Sequence, residues 1–291
     1  LETQMSDQAA NLRKKIDRLN AKRQAKTIAV VSGKGGVGKS NFSLNFALNL
    51  SKAGKKVLLF DLDIGMGNID ILLGVQAKRS IVQMYENQLS IHDIIETGPH
   101  SLSYIAAGSG LTDMFKMDET KFHYFLEQLD ELITDFDYII FDMGAGASDD
   151  SMFYVLAADE CIVVTTPEPT SMMDAYAMMK HICNRNFTIP LYLLVNRAEN
   201  NKDGRSIINR LQKVMQSFLN KEIVPLGILP NDKSVSKAVI NQIPFTMYDP
   251  KSKVTLAMIQ IVKQYVGNNI NIEKKVPSTF IKKLKQFVKE R

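Results

Sequence analysis

Cysteine and histidine are scarce in this 291-residue chain, which holds two of the first and four of the second. Cys161 and Cys183 are far apart in apolar surroundings, and His92, His100, His123 and His181 share no ligand spacing. A disulfide framework and a cysteine–histidine metal site are therefore not expected, and both thiols read as core residues of a reducing compartment. Also missing is any apolar run near the roughly 18 residues that a spanning helix needs. No secretory leader is expected at the front. With 45% apolar and 23% charged residues, the chain reads as soluble and globular, with one large core and appendages.

Charge is unevenly spread. Net charge is +5, yet residues 1–26 carry seven basic and three acidic side chains, and residues 273–291 carry seven and two. Both tails are basic and the body between them is mildly acidic. A body that coats DNA would show the reverse, so nucleic acid is not an expected partner. The expected organisation is a basic helical segment at 1–26, a central domain at 27–272 and a basic amphipathic helix at 273–291.

Gly33-Lys34-Gly35-Gly36-Val37-Gly38-Lys39-Ser40 matches the phosphate-loop pattern G-x-x-x-x-G-K-[ST]. An apolar strand, Thr27–Val31, precedes it and a helical stretch opens at Asn41, the context that makes the pattern a site. The glycines let backbone N–H groups close around phosphate oxygens, and the new helix offers its positive end. Lys39 would reach the β- and γ-phosphates of ATP, Ser40 would ligate Mg2+, and Asn41 completes the nucleotide-binding run.

Short apolar runs then alternate with helical segments. Candidate strands are Lys56–Asp61, Leu102–Ala106, Tyr138–Asp142, Cys161–Thr165, Leu191–Asn196 and Leu226–Pro230. The expected fold is α/β, a mostly parallel central sheet flanked by helices, with ligands beyond the carboxyl ends of its strands. Residues 80–100 and 107–120 read as irregular insertions. Met172, Met173, Met178 and Met179 crowd a predicted helix, Ser171–Ile182, either as adaptable core or as a partner face.

Acids end two of the strands. Asp61 and Asp63 form a D-x-D pair suited to water-mediated Mg2+ binding or to orienting an attacking water, with helix capping as the alternative. Asp142, closing Tyr138–Asp142, suits a Mg2+-bound water. An Asn side chain such as Asn196, both donor and acceptor, can match the edge of adenine, and a turn role is the alternative.

Lys34 adds a second lysine to the loop, and this spelling resembles the deviant phosphate loop of the MinD/ParA ATPases. The resemblance implies a lysine that reaches the partner's nucleotide in an ATP-dependent homodimer, making Lys34, Lys39 and Asp63 the catalytic group. It implies that Asp61 and Asp63 form a first switch and Gly144-Ala145-Gly146 a second one, although the family usually has proline where this chain has Gly144. It further implies that Asn196 and Arg197 read adenine, with Pro230 and Asp232 on the opposite wall.

The tails extend the resemblance. At 100° per residue, Phe280, Ile281, Leu284, Phe287 and Val288 share one face of a helix capped by Ser278, opposite Lys282, Lys283, Lys285 and Lys289. That pattern suits a helix lying in an anionic membrane surface, or one packed on the body. Asp7-Gln8-Ala9-Ala10-Asn11-Leu12-Arg13 is similar to the activator segment of the FlhG-type ATPases of flagellar assembly. There the segment stimulates the GTPase FlhF, which would place Gln8, Leu12 and Arg13 in the contact. The resemblance also implies flagellar C-ring proteins as partners, ATP/ADP and Mg2+ as ligands, slow ATP hydrolysis, and reversible attachment to the inner face of the plasma membrane from the cytoplasm. Rival readings are a cell-division MinD, a ParA-like DNA-segregation ATPase, an iron–sulfur carrier and a metabolic ligase. The last two fit poorly, lacking clustered cysteines in one case and any need for Lys34 in the other.

Overall fold

A computed structural model describes residues 24–63, 67–107, 119–146, 149–269 and 280–289. Eight strands form one sheet in the order β3-β4-β2-β5-β1-β6-β7-β8. They are β1 Lys26–Val31, β2 Val57–Leu62, β3 Glu96–Thr97, β4 Ser103–Ile105, β5 Tyr138–Met143, β6 Glu160–Thr165, β7 Leu191–Ala198 and β8 Val224–Pro230. All neighbours pair in parallel except β3 with β4. Every strand expected from the sequence is present within two residues of its expected bounds. The two-residue antiparallel β3 was not foreseen, because so short a strand leaves no period to read.

β1, β2, β5 and β6 are buried along nearly their whole length, as strands covered on both faces must be. One face carries α1 Lys39–Lys52, α2 Ile69–Leu73, α8 Lys233–Ile240, α9 Phe245–Tyr248 and α10 Lys253–Asn269. The other carries α3 Ile81–Glu86, α4 Glu119–Leu132, α5 Asp149–Ala157, α6 Pro169–Arg185, α7 Asn201–Leu219 and α11 Phe280–Lys289. Residues 80–100 are more regular than expected: Ser80 and Gln83 form a capping box that starts α3, and a 3-10 turn, Ile91–Ile94, follows. On α6, Met178 and Met179 are core and only Met173 is largely exposed, at 65%.

The basic tail helix α11 lies on the body, against α5 and α4. Phe280 and Leu284 are fully buried and Ile281 nearly so. The Phe280 ring stacks on Phe141 of β5, with centroids 5.2 Å apart and planes 14° off parallel. Lys282 and Lys285 point to solvent. The apolar face read as membrane-seeking is thus occupied by the protein's own core, the packing alternative left open by the sequence. Each of the three side chains gains about 2 kcal/mol from burial before ordering costs. Gln8, Leu12 and Arg13, and the side chains of Phe287 and Val288, lie outside the described residues. So does the expected domain boundary at 272, while β1 begins at Lys26, one residue before the expected domain start at 27.

Removing the Phe280 ring should loosen α11 before anything else, since its stack on Phe141 anchors the first turn of the helix. Phe280→Ala is expected to cost about 3 kcal/mol of local packing. Trypsin should then cut at Lys282, Lys283 and Lys285 much faster than in wild type, with the sheet domain intact on a mass spectrum. Unchanged cleavage would show that the stack does not hold the helix.

Candidate functional site

The glycine-rich turn Gly33–Gly38 joins the carboxyl end of β1 to the amino end of α1. Gly38, the residue before α1, has φ of 90°, and Gly36 has 77°. A Cβ on Gly38 would also stand 2.4 Å from the Asn196 amide nitrogen. Backbone N–H groups can therefore face inward only because side chains are absent here. The Asn196 Nδ2 donates to the Val37 carbonyl at 2.8 Å, and its Oδ1 accepts the Arg197 N–H at 2.9 Å. In this structure Asn196 ties β7 to the loop, with Arg197 exposed beside it at φ 56°. Pro230 closes β8, and Asp232 caps α8 by accepting from the Ser234 N–H at 2.9 Å.

Lys39 is buried, and its ammonium meets Asp142 Oδ1 at 3.0 Å. Ser43, one turn along α1, donates its hydroxyl to the same oxygen at 2.8 Å. Asp142 sits beside Val30 of β1 and Asp61 of β2 in the parallel ladder, so two carboxylates end adjacent strands. Burial, then the charge of Asp142, raises the Asp61 carboxyl from 3.8 to about 7, against three backbone N–H donors that lower it. Those donors are Asp63 to Oδ1 at 3.0 Å, and Asn68 and Ile69 to Oδ2 at 2.9 and 3.2 Å. Asp61 thus holds the start of α2, the capping alternative left open by the sequence, and the backbone of Asp63 as well. Asp63 is half-buried, and its carboxyl is also raised, by burial first and by Asp142, while Lys39 pulls it down.

Gly144, where proline was expected, lies against Asp63: a Cβ there would stand 3.2 Å from Asp63 Oδ1. The Gly146 N–H reaches the Ser32 carbonyl at 3.4 Å. The two segments expected to be switches therefore lie close to each other and to the loop. Lys34 departs from the inward arrangement. Its side chain is 43% exposed, and its ammonium lies 3.1 Å from Glu168 Oε2 and 3.4 Å from Thr170 Oγ1 at the start of α6. An exposed pair of this kind is worth about 0–1 kcal/mol, so Lys34 is free to move at little cost.

The residues fit a nucleotide with Mg2+. Asp142 Oδ2 is buried with no hydrogen-bond partner among the described residues, an acceptor that could take a metal-bound water. Ser40, in the first turn of α1, would be a direct ligand, and Asp63 lies within the field of Lys39 and Asp142. Bound Mg2+ would supply charge neutralisation between the β- and γ-phosphates. Lys39 would hold the phosphate oxygens, and Asp63 would orient the attacking water. Ser43, Glu168 and Thr170 were missed in the sequence. Ser43 was findable, lying four residues after Lys39 on one helix face. Glu168 and Thr170 had only their place beyond a strand end to mark them.

A phosphate loop between a central parallel strand and its helix, with acids on the neighbouring strands, defines a P-loop nucleoside triphosphatase. Residues 23–266 match the ParA family model, described as NUBPL iron-transfer P-loop NTPase. The chain is 34% identical over 238 residues to the antiactivator FleN of Pseudomonas aeruginosa, covering 81% of this chain and 85% of that one. It is 30% identical to the flagellum site-determining protein YlxH of Helicobacter pylori over 97% of both. The septum site-determining protein MinD of Pyrococcus horikoshii, solved with Mg-ADP, shares the fold with a TM-score of 0.71 at 24% identity, covering 87% of this chain and all of that one. The chain belongs to the MinD/ParA family of P-loop ATPases, in its FlhG branch. Cys161 and Cys183 are both buried, and burial raises both thiols, most at Cys161.

The Asp61 carboxyl gives a pH test. Because its value in the folded chain lies above the ordinary one, protonation favours folding. That contribution is complete below the ordinary carboxylate range and is lost as pH rises through about 7. A carbon-detected NMR titration without nucleotide or Mg2+ should place its midpoint near 7. Wild type should gain stability over Asp61→Asn as pH falls from about 8 to about 5. A midpoint in the ordinary range would show that the three amide donors outweigh burial.

Proposed function

We propose that this protein is an ATP-driven membrane switch that sets flagellar number and placement. The observation that carries this reading is Lys34. The second lysine of the loop stands at the rim of the site, held by exposed contacts with Glu168 and Thr170, while Lys39 would serve the phosphates from within. A cation so placed can close on a nucleotide carried by a second copy, completing charge stabilisation there as an arginine finger does. Hydrolysis would then be slow in a single chain and wait on dimer formation. The relatives named for flagellar regulation, the antiactivator FleN and the flagellum site-determining protein YlxH, support a flagellar task.

In this reading α11 is the membrane element. Its apolar face is docked on α4 and α5, so attachment requires the helix to leave the body. Each lysine near an anionic leaflet is worth about 1 kcal/mol, which makes one helix a weak anchor and two tethered helices a useful one. Residues 1–26, through Gln8, Leu12 and Arg13, would stimulate FlhF. The protein would move between the cytoplasm and the inner face of the plasma membrane, meeting C-ring proteins in the course of assembly. The acidic body counts against a DNA-coating role, and the front segment against a cell-division MinD.

Lys34→Ala should bind ATP within about threefold of wild type, since uniform binding is left to Lys39. It should nevertheless stay monomeric in light scattering and fail to pellet with anionic liposomes. Asp63→Ala, which keeps Lys34 but loses the water-orienting carboxylate, should dimerise and remain on the vesicles in ATP. A monomeric Asp63→Ala in saturating ATP and Mg2+ would overturn the dimer switch.

Deletion of residues 1–20 separates the flagellar reading from its rivals. The truncated chain should retain ATP binding and vesicle attachment and lose all stimulation of FlhF GTP hydrolysis. Stimulation that survives the deletion would refute the role given to the front segment.

A further inference from the structure

We propose that Asp61 is a positioning residue for hydrolysis, acting through Asp63 rather than on the nucleotide. The inference rests on the ATPase reading and adds to it a second residue on which turnover depends. A single carboxylate on β2 receives the N–H of Asp63 on one oxygen and those of Asn68 and Ile69 on the other, at 2.9 to 3.2 Å. The chain thus leaves the strand and returns to the same side chain within eight residues. Asp63 is gripped by its own backbone two residues beyond the strand, and the first turn of α2 is gripped from the same point.

No apolar side chain could replace this contact. Asp61 is 1% exposed and lies in register with Asp142, a place where a second buried acid is costly unless its oxygens are well used. All three donors named are main-chain groups, so the carboxylate reads backbone position and nothing else. The approach is close as well. A Cβ on Gly67 would stand 3.1 Å from Asp61 Oδ2 and 2.9 Å from the Ala107 Cβ, so only glycine lets the returning chain lie against the acid. The Asp63 carboxylate, held in this way, faces Gly144 of the second switch and lies within the field of Lys39. Displacing Asp63 by a fraction of an ångström would misplace the water it orients, without touching the loop that binds phosphate.

The test separates turnover from binding. In the full chain, Asp61→Asn keeps the shape and turns a donor toward the amides. It should lower kcat by about 10²-fold, the scale of a small misplacement near the chemistry. Affinity for MgADP should stay within about twofold of wild type. Amide exchange at residues 67–69 should quicken by about tenfold as the hydrogen bonds are lost. Gly67→Ala, which crowds the same contact while sparing the carboxylate, should give the same split between kcat and affinity. If kcat and MgADP affinity fall together, or exchange at 67–69 is unchanged in Asp61→Asn, the assignment is overturned and Asp61 only builds the fold. A wild-type chain that binds MgADP but never turns over ATP would sink the ATPase reading, while the exchange comparison still decides whether Asp61 grips this backbone.

Discussion

The buried contact between Lys39 and Asp142 is the point on which the rest of the molecule turns. It joins the first turn of the helix after the phosphate loop to the end of the strand beside it, 103 residues away in sequence. Leaving either charge alone in that interior would cost about 3–5 kcal/mol. The loop must therefore lie over β5, and β1 must lie between β5 and β6. Ser43 adds its hydroxyl to the same oxygen, and Asp61 arrives alongside through the ladder. Lys39 and Ser43 gather at this one carboxylate because its charge has to be satisfied there.

Alternation along β5 ties this site to the tail. Successive side chains of a strand face opposite sides of the sheet, so Asp142 looks toward α1 while Phe141 looks into the layer of α4, α5 and α11. Phe141 carries the stacked ring of Phe280. A shift of β5 that accommodates a bound phosphate would reach the seat of the basic helix in one residue. The docked helix keeps Lys282 and Lys285 outside and Phe280 within.

Much of the site could be read along the chain, because phosphate binding is a local act: eight consecutive residues fold around the anion, and their glycines and lysines are its signature. The parallel sheet was equally legible, since strands buried on both faces are continuous apolar runs. Other parts were not. Asn196 was assigned to adenine on the family resemblance, and the contact its amide makes here, with the Val37 carbonyl, is to a partner 159 residues distant that no periodicity reveals. The seat of Lys34 on Glu168 is of the same kind, and so is the near contact of Gly144 with Asp63.

What the amino-acid sequence determined by itself was the class of machine: a phosphate loop on a parallel sheet, acids at strand ends and a basic amphipathic helix over Phe280–Lys289. Propensity, period and short-range geometry settle those features, and all of them act within a few residues. Only the tertiary structure decided which carboxylate Lys39 meets, where Lys34 rests, how Asp61 grips the chain on its return, and that the amphipathic helix lies against Phe141. Those outcomes depend on which strands become neighbours and on buried charges finding partners across the sheet, and distances of that kind are set by packing rather than by spacing along the chain.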